Sequence, residues 1–222
     1  MEKRKLIIGT YDTALNGWTL AEWALSAPEM KTNFVNKFAG DGSWDLSTAL
    51  TDGVPRYFDR ELTATLECSE GDRLSRETEI RRMINLLDGM RFEIRLPDDA
   101  YHYIVGRVYV ARNFNDLAHA SVSVRATCEP WKYSSAETVV ALSPKSTKQT
   151  VTLVNSGRRA VVPVLAVTGS GASVLFEYGT ASLAMTASTR QWPALVLTPG
   201  AHALAYSGSG AVLITYREAV LE

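Results

Sequence analysis

The sequence predicts an α+β N-terminal domain, antiparallel strands around one helix, followed by an all-β sandwich. Three observations predict this. A single amphipathic helix pattern occurs, and it lies in the first half. Segments of alternating polarity surround it. Beyond about residue 134 the charge falls away and short β-rich runs recur between glycine turns. Period 3.6 marks a helix that lies on something apolar, and period 2 marks a half-buried strand.

The helix runs from Asp72. Ile80, Met83, Ile84 and Leu87 follow i, i+3, i+4, i+7 spacing, with Arg76, Glu77, Arg81 and Arg82 expected on the wet face. Asp72 or Ser75 suits the start and Gly89 the stop. Strands are expected at 62–68, 92–96 and 122–128, where apolar and polar residues alternate. A longer strand spans 101–112, with Gly106 inside at a bulge. Between Gly40 and Phe58 the chain is rich in Gly, Asp, Ser and Thr, which predicts a long loop or protruding hairpin.

The domain boundary rests on charge. Residues 1–133 hold 37 charged side chains and residues 134–222 hold 10, with Ser134-Ser135-Ala136-Glu137 as the linker. The domains are therefore 1–133 and 134–222. In the second, runs at 149–154, 161–167, 173–177, 183–187, 194–197, 203–206 and 211–217 read as strands. Turns are expected at Asn155-Ser156-Gly157, Gly169-Ser170-Gly171, Pro199-Gly200 and Gly208-Ser209-Gly210. Many short strands at this spacing predict a sandwich.

Several function classes are disfavoured. A net charge of -1 lacks the positive excess of a protein that coats nucleic acid or binds membranes through basic clusters. No run approaches the ~20 apolar residues of a membrane span. The start is basic, but its apolar stretch is only Leu6 to Ile8, too short for a signal-peptide core. Cys68 and Cys128 are read as free thiols of a protein made in a reducing cytoplasm. Both end strands and are candidates for neighbours in space.

The catalytic inventory is poor. His102, His119 and His202 have no zinc-site spacing, and no nucleophile elbow or phosphate loop occurs. Asp41 and Asp45 are read as turn-forming carboxylates beside a buried Trp44 in preference to a calcium site. Asp98 and Asp99 are read as a turn beside His102. No cofactor and no metal is expected. Tyr178, Trp192 and Tyr206 are candidates for a weak glycan platform, against the plainer reading of core aromatics. Trp18, Trp23, Trp44 and Trp131 lie outside the clear strands, where large aromatics often anchor protein contacts.

The order of these features resembles the distal tail (Dit) proteins of long-tailed bacteriophages. The matching landmarks begin with Tyr11-Asp12-Thr13 and Trp18, then Gly40-Asp41-Gly42-Ser43-Trp44-Asp45-Leu46-Ser47 and Arg60-Glu61-Leu62. After the helix come Leu96-Pro97-Asp98-Asp99, Tyr103, Gly106-Arg107-Val108 and Cys128-Glu129-Pro130-Trp131-Lys132-Tyr133. Asn155-Ser156-Gly157, Pro199-Gly200 and Ile214-Thr215-Tyr216-Arg217 complete the set. Each motif is short, and the specificity lies in their order along nearly the whole chain. Trp44 departs from the family, which more often has a smaller aliphatic residue there.

The resemblance implies a structural virion protein and no enzyme. It implies a tail-tube-like first domain that builds a homo-hexameric ring at the distal end of the tail, and a galectin-like second domain facing outward. The implied partners are further copies of the chain, the tail-tube protein, the tail-tip hub protein and the tape-measure protein. No sequence-specific nucleic acid and no membrane insertion are implied. The chain would be made in the bacterial host cytoplasm, from a phage or a prophage. Asp41, Trp44, Asp45, Tyr57 and Arg60 are then the candidate inter-subunit contacts, on an arm that continues a neighbour's sheet. The competing reading is a free carbohydrate-binding or lectin-like sandwich, which leaves the first half idle. A hydrolase comes third, because no acid–base pair can be assigned.

Overall fold

The structure, a computed structural model, describes residues 4–51 and 53–222. Met1, Glu2 and Lys3 of the basic start and Asp52 of the expected arm lie outside the described residues. The chain divides into two compact units, one reaching Lys132 and including Glu222, the other running from Tyr133 to Leu221.

The first unit holds β1 (Ile7–Ile8), β2 (Tyr11–Asp12), β3 (Thr19–Leu25), β4 (Phe34–Asn36), β5 (Ser43–Asp45) and β6 (Arg60–Cys68). Helix α1 (Arg73–Leu87), β7 (Arg91–Arg95), β8 (His102–Asn115) and β9 (Ala120–Ser134) follow. The main sheet has the order β2-β1-β7-β8-β9-β6-β3. β6 and β9 pair antiparallel from Arg60↔Cys128 to Cys68↔Ala120. Even-numbered residues of both strands, Leu62, Ala64, Leu66, Val122, Val124 and Ala126, face the core, as the alternation requires.

Helix α1 covers that face. Ile80, Met83 and Leu87 are fully buried, and Ile84 is partly buried against the same cluster. Each large side chain so placed contributes roughly 1.5–3 kcal/mol. Asp72 caps the start, its Oδ1 accepting from the Ser75 amide at 2.7 Å. Gly89 follows the stop at φ +74°. One expectation is corrected: Arg76 is buried, not on the wet face. Its guanidinium donates to the carbonyls of Gly71 at 2.6 Å, Asp116 at 2.9 Å and Leu117 at 3.2 Å. It ties the helix start to the turn after β8.

On its β7 side Gly106 lies in unbroken register, through Phe92↔Gly106. The glycine is needed for space under Cys128. The two cysteines lie at opposite ends of the β6–β9 pair, eight residues apart, which is about 26 Å of strand. They are free, buried and far from each other. Three of the four tryptophans are strand residues, Trp23 on β3, Trp44 on β5 and Trp131 on β9, while Trp18 lies outside the strands as expected, just before β3, and is fully buried.

The second unit contains β10 (Thr138–Leu142), β11 (Gln149–Asn155), β12 (Val164–Tyr178), β13 (Ala181–Thr186), β14 (Ser188–Gln191), β15 (Gly200–Tyr216) and β16 (Ala219–Val220). Two expected turns, at Gly169–Gly171 and Gly208–Gly210, lie inside the long strands β12 and β15. The β12–β15 register jumps from Thr168↔Ala211 to Ser173↔Ser209. Four residues of β12, 169–172, thus stand against one of β15, Gly210, and the odd surplus of three flips the buried side. Leu165 and Val167 face inward before the irregularity, and Ala172, Val174 and Phe176 after it. Beyond it β12 pairs with β13, before it with β14. β11 and β10 likewise flank the two halves of β15. Both halves of each long strand contribute to one core.

The run at 194–197 is not a strand. Leu195 and Leu197 are buried from a loop, which bridges to Val161 through Val161 N–H to Leu197 O at 3.0 Å and its reciprocal at 2.8 Å. The turn at Asn155 is present, and Asn155 is its buried hub. Its Nδ2 donates to Leu197 O and Arg159 O, both at 2.8 Å, and its Oδ1 accepts from Gly157 N at 3.0 Å. The expected linker is clamped by Arg217, whose Nη1 donates to Ser134 O at 2.7 Å and Ser135 O at 2.9 Å.

Candidate functional site

The feature of the first unit that its own core leaves unexplained is an arm between β3 and β6. Its root is closed by a bridge at Met30↔Tyr57, with Lys31 N–H to Arg56 O at 2.8 Å and Phe58 N–H to Glu29 O at 2.9 Å. Beyond the root, β4 and β5 form a two-stranded sheet by themselves, in register Phe34↔Asp45, Val35↔Trp44 and Asn36↔Ser43. The expected hairpin therefore exists, with its first strand starting before Gly40.

Local chemistry sets the hairpin. Gly42 takes φ +78°, and Lys37 N–H reaches Gly42 O at 3.3 Å to close the tip. Asp45 accepts from Ser47 N–H at 2.9 Å, a local turn that ends β5. The same Ser47 bonds hold the Asp45 carboxyl below the ordinary carboxylate range. Asn33 N–H donates to Ser47 Oγ at 2.8 Å.

Every residue from Lys31 to Leu46 is exposed. Among the described residues, eight of the 21 exposed large hydrophobic side chains fall on the arm, namely Phe34, Val35, Phe38, Trp44, Leu46, Leu50, Val54 and Phe58. A lone two-stranded hairpin is marginal in water. Exposed aromatic and aliphatic side chains on a hairpin whose outer edges pair with no other strand among the described residues are the usual mark of a surface that meets another protein.

The five expected contact residues divide. Asp41, Trp44 and Asp45 are exposed on the hairpin, and Trp44, expected to be buried, is 56% exposed. Tyr57 stands at the root, its ring edge-on to Trp131 with centroids 5.5 Å apart. Arg60 is only 3% exposed. Its Nε donates to Ser26 O at 2.6 Å, which fixes the chain where the arm departs. Burial lowers its pKa. Arg60 and Tyr57 thus support the arm, and the hairpin residues present themselves outward. Phe34, Phe38 and Leu50 were missed by sequence reasoning. Their only signal is apolar residues in a segment without periodicity, next to glycines.

The expected glycan platform is not assembled. Trp192 and Tyr206 are in the core of the second unit, so their ring faces are not open for stacking. Tyr178 is partly buried, and its hydroxyl meets His202 Nδ1 at 2.8 Å and Val196 O at 3.2 Å. Among the described residues no group of three or more His, Cys, Asp or Glu side chains is placed to hold a metal ion. Asp99 accepts from the amides of Tyr101 at 3.3 Å and His102 at 3.0 Å, and meets His102 Nδ1 at 2.9 Å and Lys132 Nζ at 3.4 Å. This is a turn tied to the end of β9. No helix among the described residues is long and apolar enough to cross a membrane.

No protein-family model matches the sequence, and no curated protein matches it. Among solved structures the chain is similar to SPP1 Dit (gp 19.1), described as a paradigm of the hub adsorption apparatus in phages that infect Gram-positive bacteria. The TM-score is 0.68 at 13% sequence identity, covering 96% of this chain and 98% of that one. Both units of the chain, in order and nearly end to end, have the fold of that phage protein.

Proposed function

We propose that this chain is a structural component of a phage tail hub. In this reading six copies close into a ring at the distal end of the tail tube and join it to the tail tip. The observation that carries the reading is the shared fold over almost the full length of both chains. The exposed arm supports it from the chemistry side. A cyclic ring needs two different patches on each subunit, and an apolar hairpin with free edges is one such patch.

The first unit would then be the tail-tube-like, ring-forming part and the second a galectin-like sandwich facing outward. Asp41, Trp44 and Asp45 would touch the neighbouring subunit, with Tyr57 and Arg60 holding the arm's root. The further partners are the tail-tube protein, the tip hub protein and the tape-measure protein, and the location is the virion tail. The role is architectural and calls on no catalytic group.

The test is the mass of the full chain at high protein concentration, together with image averaging of tails assembled with it. A closed sixfold assembly is expected, lost when residues 37–42 are replaced by a short glycine turn. A chain that stays monomeric throughout and never enters tails would overturn the reading.

A further inference from the structure

We propose that Asp41-Gly42, at the tip of the hairpin, is a site of spontaneous backbone modification in the free chain. The peptide nitrogen of Gly42 closes on the Asp41 carboxyl, and the ring reopens as isoaspartate.

The reaction needs a carboxyl and the next peptide nitrogen to meet. A bond forms between that nitrogen and Cγ. One carboxyl oxygen leaves as water, taking the amide proton and the carboxyl proton, and a cyclic imide remains. Water then adds to one of the two imide carbonyls. Breaking the nitrogen–Cγ bond restores aspartate, and breaking the original peptide bond leaves the chain running through Cγ. Water is the only co-reactant, and nothing is oxidised or reduced. Asparagine reacts in the same way with loss of ammonia. A following glycine favours closure because no Cβ shields its nitrogen.

Four dipeptides of this kind occur: Asn16-Gly17, Asp41-Gly42, Asp52-Gly53 and Asp88-Gly89. Hydrogen bonding separates the three whose acidic or amide side chain is described. Asp88 Oδ1 accepts from the Val110 amide at 2.9 Å, and Gly89 N–H donates to Val108 O at 2.8 Å. Asn16 Nδ2 donates to Asp12 O at 2.7 Å, and its Oδ1 accepts from Arg82 Nη1 at 3.1 Å. Gly17 N–H donates to Ala14 O at 3.2 Å. In both cases the electrophile and the nucleophile are each held in place. At the hairpin tip neither is held. The Asp41 carboxylate and the Gly42 N–H have no partner among the described residues, and both residues are exposed. The fold thus leaves one of three similar sequences able to react.

The product matters to the arm. Isoaspartate inserts a methylene into the main chain between residues 41 and 42. That point adjoins the Lys37 N–H bond to Gly42 O, at 3.3 Å, and the Asn36↔Ser43 pair. The lengthened tip no longer matches this closure, so a free chain ages first at its hairpin. The reaction is independent of the ring reading.

The test ages the full chain at low concentration and neutral pH, in an Asp52→Glu background that removes the neighbouring source. Fragment-ion sequencing locates isoaspartate, and methyl transfer from S-adenosylmethionine by an isoaspartyl carboxyl methyltransferase counts it. Asp41 is expected to convert at nearly the rate it shows in the guanidinium-unfolded chain. Asp88 should convert at least about tenfold more slowly than when unfolded, because two hydrogen bonds must open first. Asp41→Glu should abolish the signal at this position, and Asp41→Asn should accelerate conversion and add the mass change of deamidation. If Asp41 in the folded chain is protected as strongly as Asp88, or if folded Asp88 reacts as fast as Asp41, the proposal fails.

Discussion

Gly106 lies directly under Cys128: a Cβ built on the glycine would sit 2.5 Å from the cysteine sulfur, 2.9 Å from the Thr127 carbonyl oxygen and 3.1 Å from the Cys128 Cα. Two of these atoms are backbone and cannot swing away. Gly106→Ala is therefore expected to lower the stability of the first unit by about 2–3 kcal/mol, the usual cost of overpacking. Cys128→Ala should relieve only part of that, because Thr127 O and the Cys128 Cα remain. Melting curves of the two single variants and the double variant decide this. Full rescue by Cys128→Ala would show that the sulfur alone sets the limit.

Burial pushes the Cys128 thiol up to about 12. The sign follows from linkage. Above the unfolded thiol's ordinary value near 9 the unfolded chain loses a proton that the folded chain keeps, so stability falls as pH rises from 9 toward 12. Cys128→Ala is expected to flatten that part of the stability profile. An unchanged alkaline limb would refute the assignment.

Arg76→Met keeps the length of the side chain and removes its donors. Three carbonyls, of Gly71, Asp116 and Leu117, then lose their partner. The expected cost is about 3 kcal/mol, with Arg76→Lys recovering little, since an ammonium cannot span the same fork. Equilibrium unfolding in urea measures both, and a lysine variant as stable as wild type would refute the role given to the guanidinium.

The burial of Arg76 was half legible in the sequence. By spacing it lies on the apolar stripe, at i, i+4, i+7, i+11 with Ile80, Met83 and Leu87, but its charge argues for water, and only the turn at Asp116–Leu117, 40 residues away, gives it partners there. The alternating strands β6 and β9 and the capped helix were legible because period, cap and stop residue all agree. The glycine pairs of the second unit misled for a physical reason. A glycine at positive φ serves a hairpin turn and a sheet irregularity equally well, and only the opposing strand distinguishes them. The arm was half legible: its turn chemistry marks Gly40–Ser47, but the apolar residues that make it a surface have no period to reveal them.

Gly208 and Gly210 test that irregularity. Gly208 has φ +136°, and a Cβ there would lie 2.1 Å from Ser173 O. Gly210 has φ +108°, and a Cβ there would lie 2.6 Å from Ala172 Cβ. Gly208→Ala is expected to cost about 3 kcal/mol or more and to release the second unit at a lower temperature. Gly171→Ala, with positive φ but nothing within 4 Å, should cost about 1 kcal/mol. Equal effects at the two positions would mean that crowding is irrelevant.

The helix stripe offers a stronger handle at Ile80 than at Ile84, which the sequence placed mid-stripe. Ile80 is fully buried and Ile84 only partly. Ile80→Asp buries an unpaired carboxylate and is expected to unfold the first unit, a penalty of several kcal/mol against a typical domain stability of about 5–15. Ile84→Asp should cost less, because its side chain can turn toward water. The core of the second unit shares no residue with that of the first. Limited proteolysis of Ile80→Asp should therefore leave a fragment beginning near Ser135, and digestion of the whole chain would refute independent cores.

Asp99 sets an acid limit for the first unit. Burial raises its pKa, but the hydrogen bond and charge of His102 and the charge of Lys132 outweigh that and hold it below 3.8. A carboxylate with a depressed folded value contributes stability above the unfolded value and loses it as pH falls through the folded one. Asp99→Asn is thus expected to destabilise the unit at pH 7, where the wild-type carboxylate is ionised, and progressively less below pH 3.8. Its amide can still accept one of the backbone bonds from Tyr101 or His102, so the turn survives and the charge contribution is isolated. Urea unfolding of both proteins between pH 2 and 7 reads the difference directly, at solution conditions set by the experiment. A gap that stays constant across that range would assign the loss to the turn geometry and not to the charge.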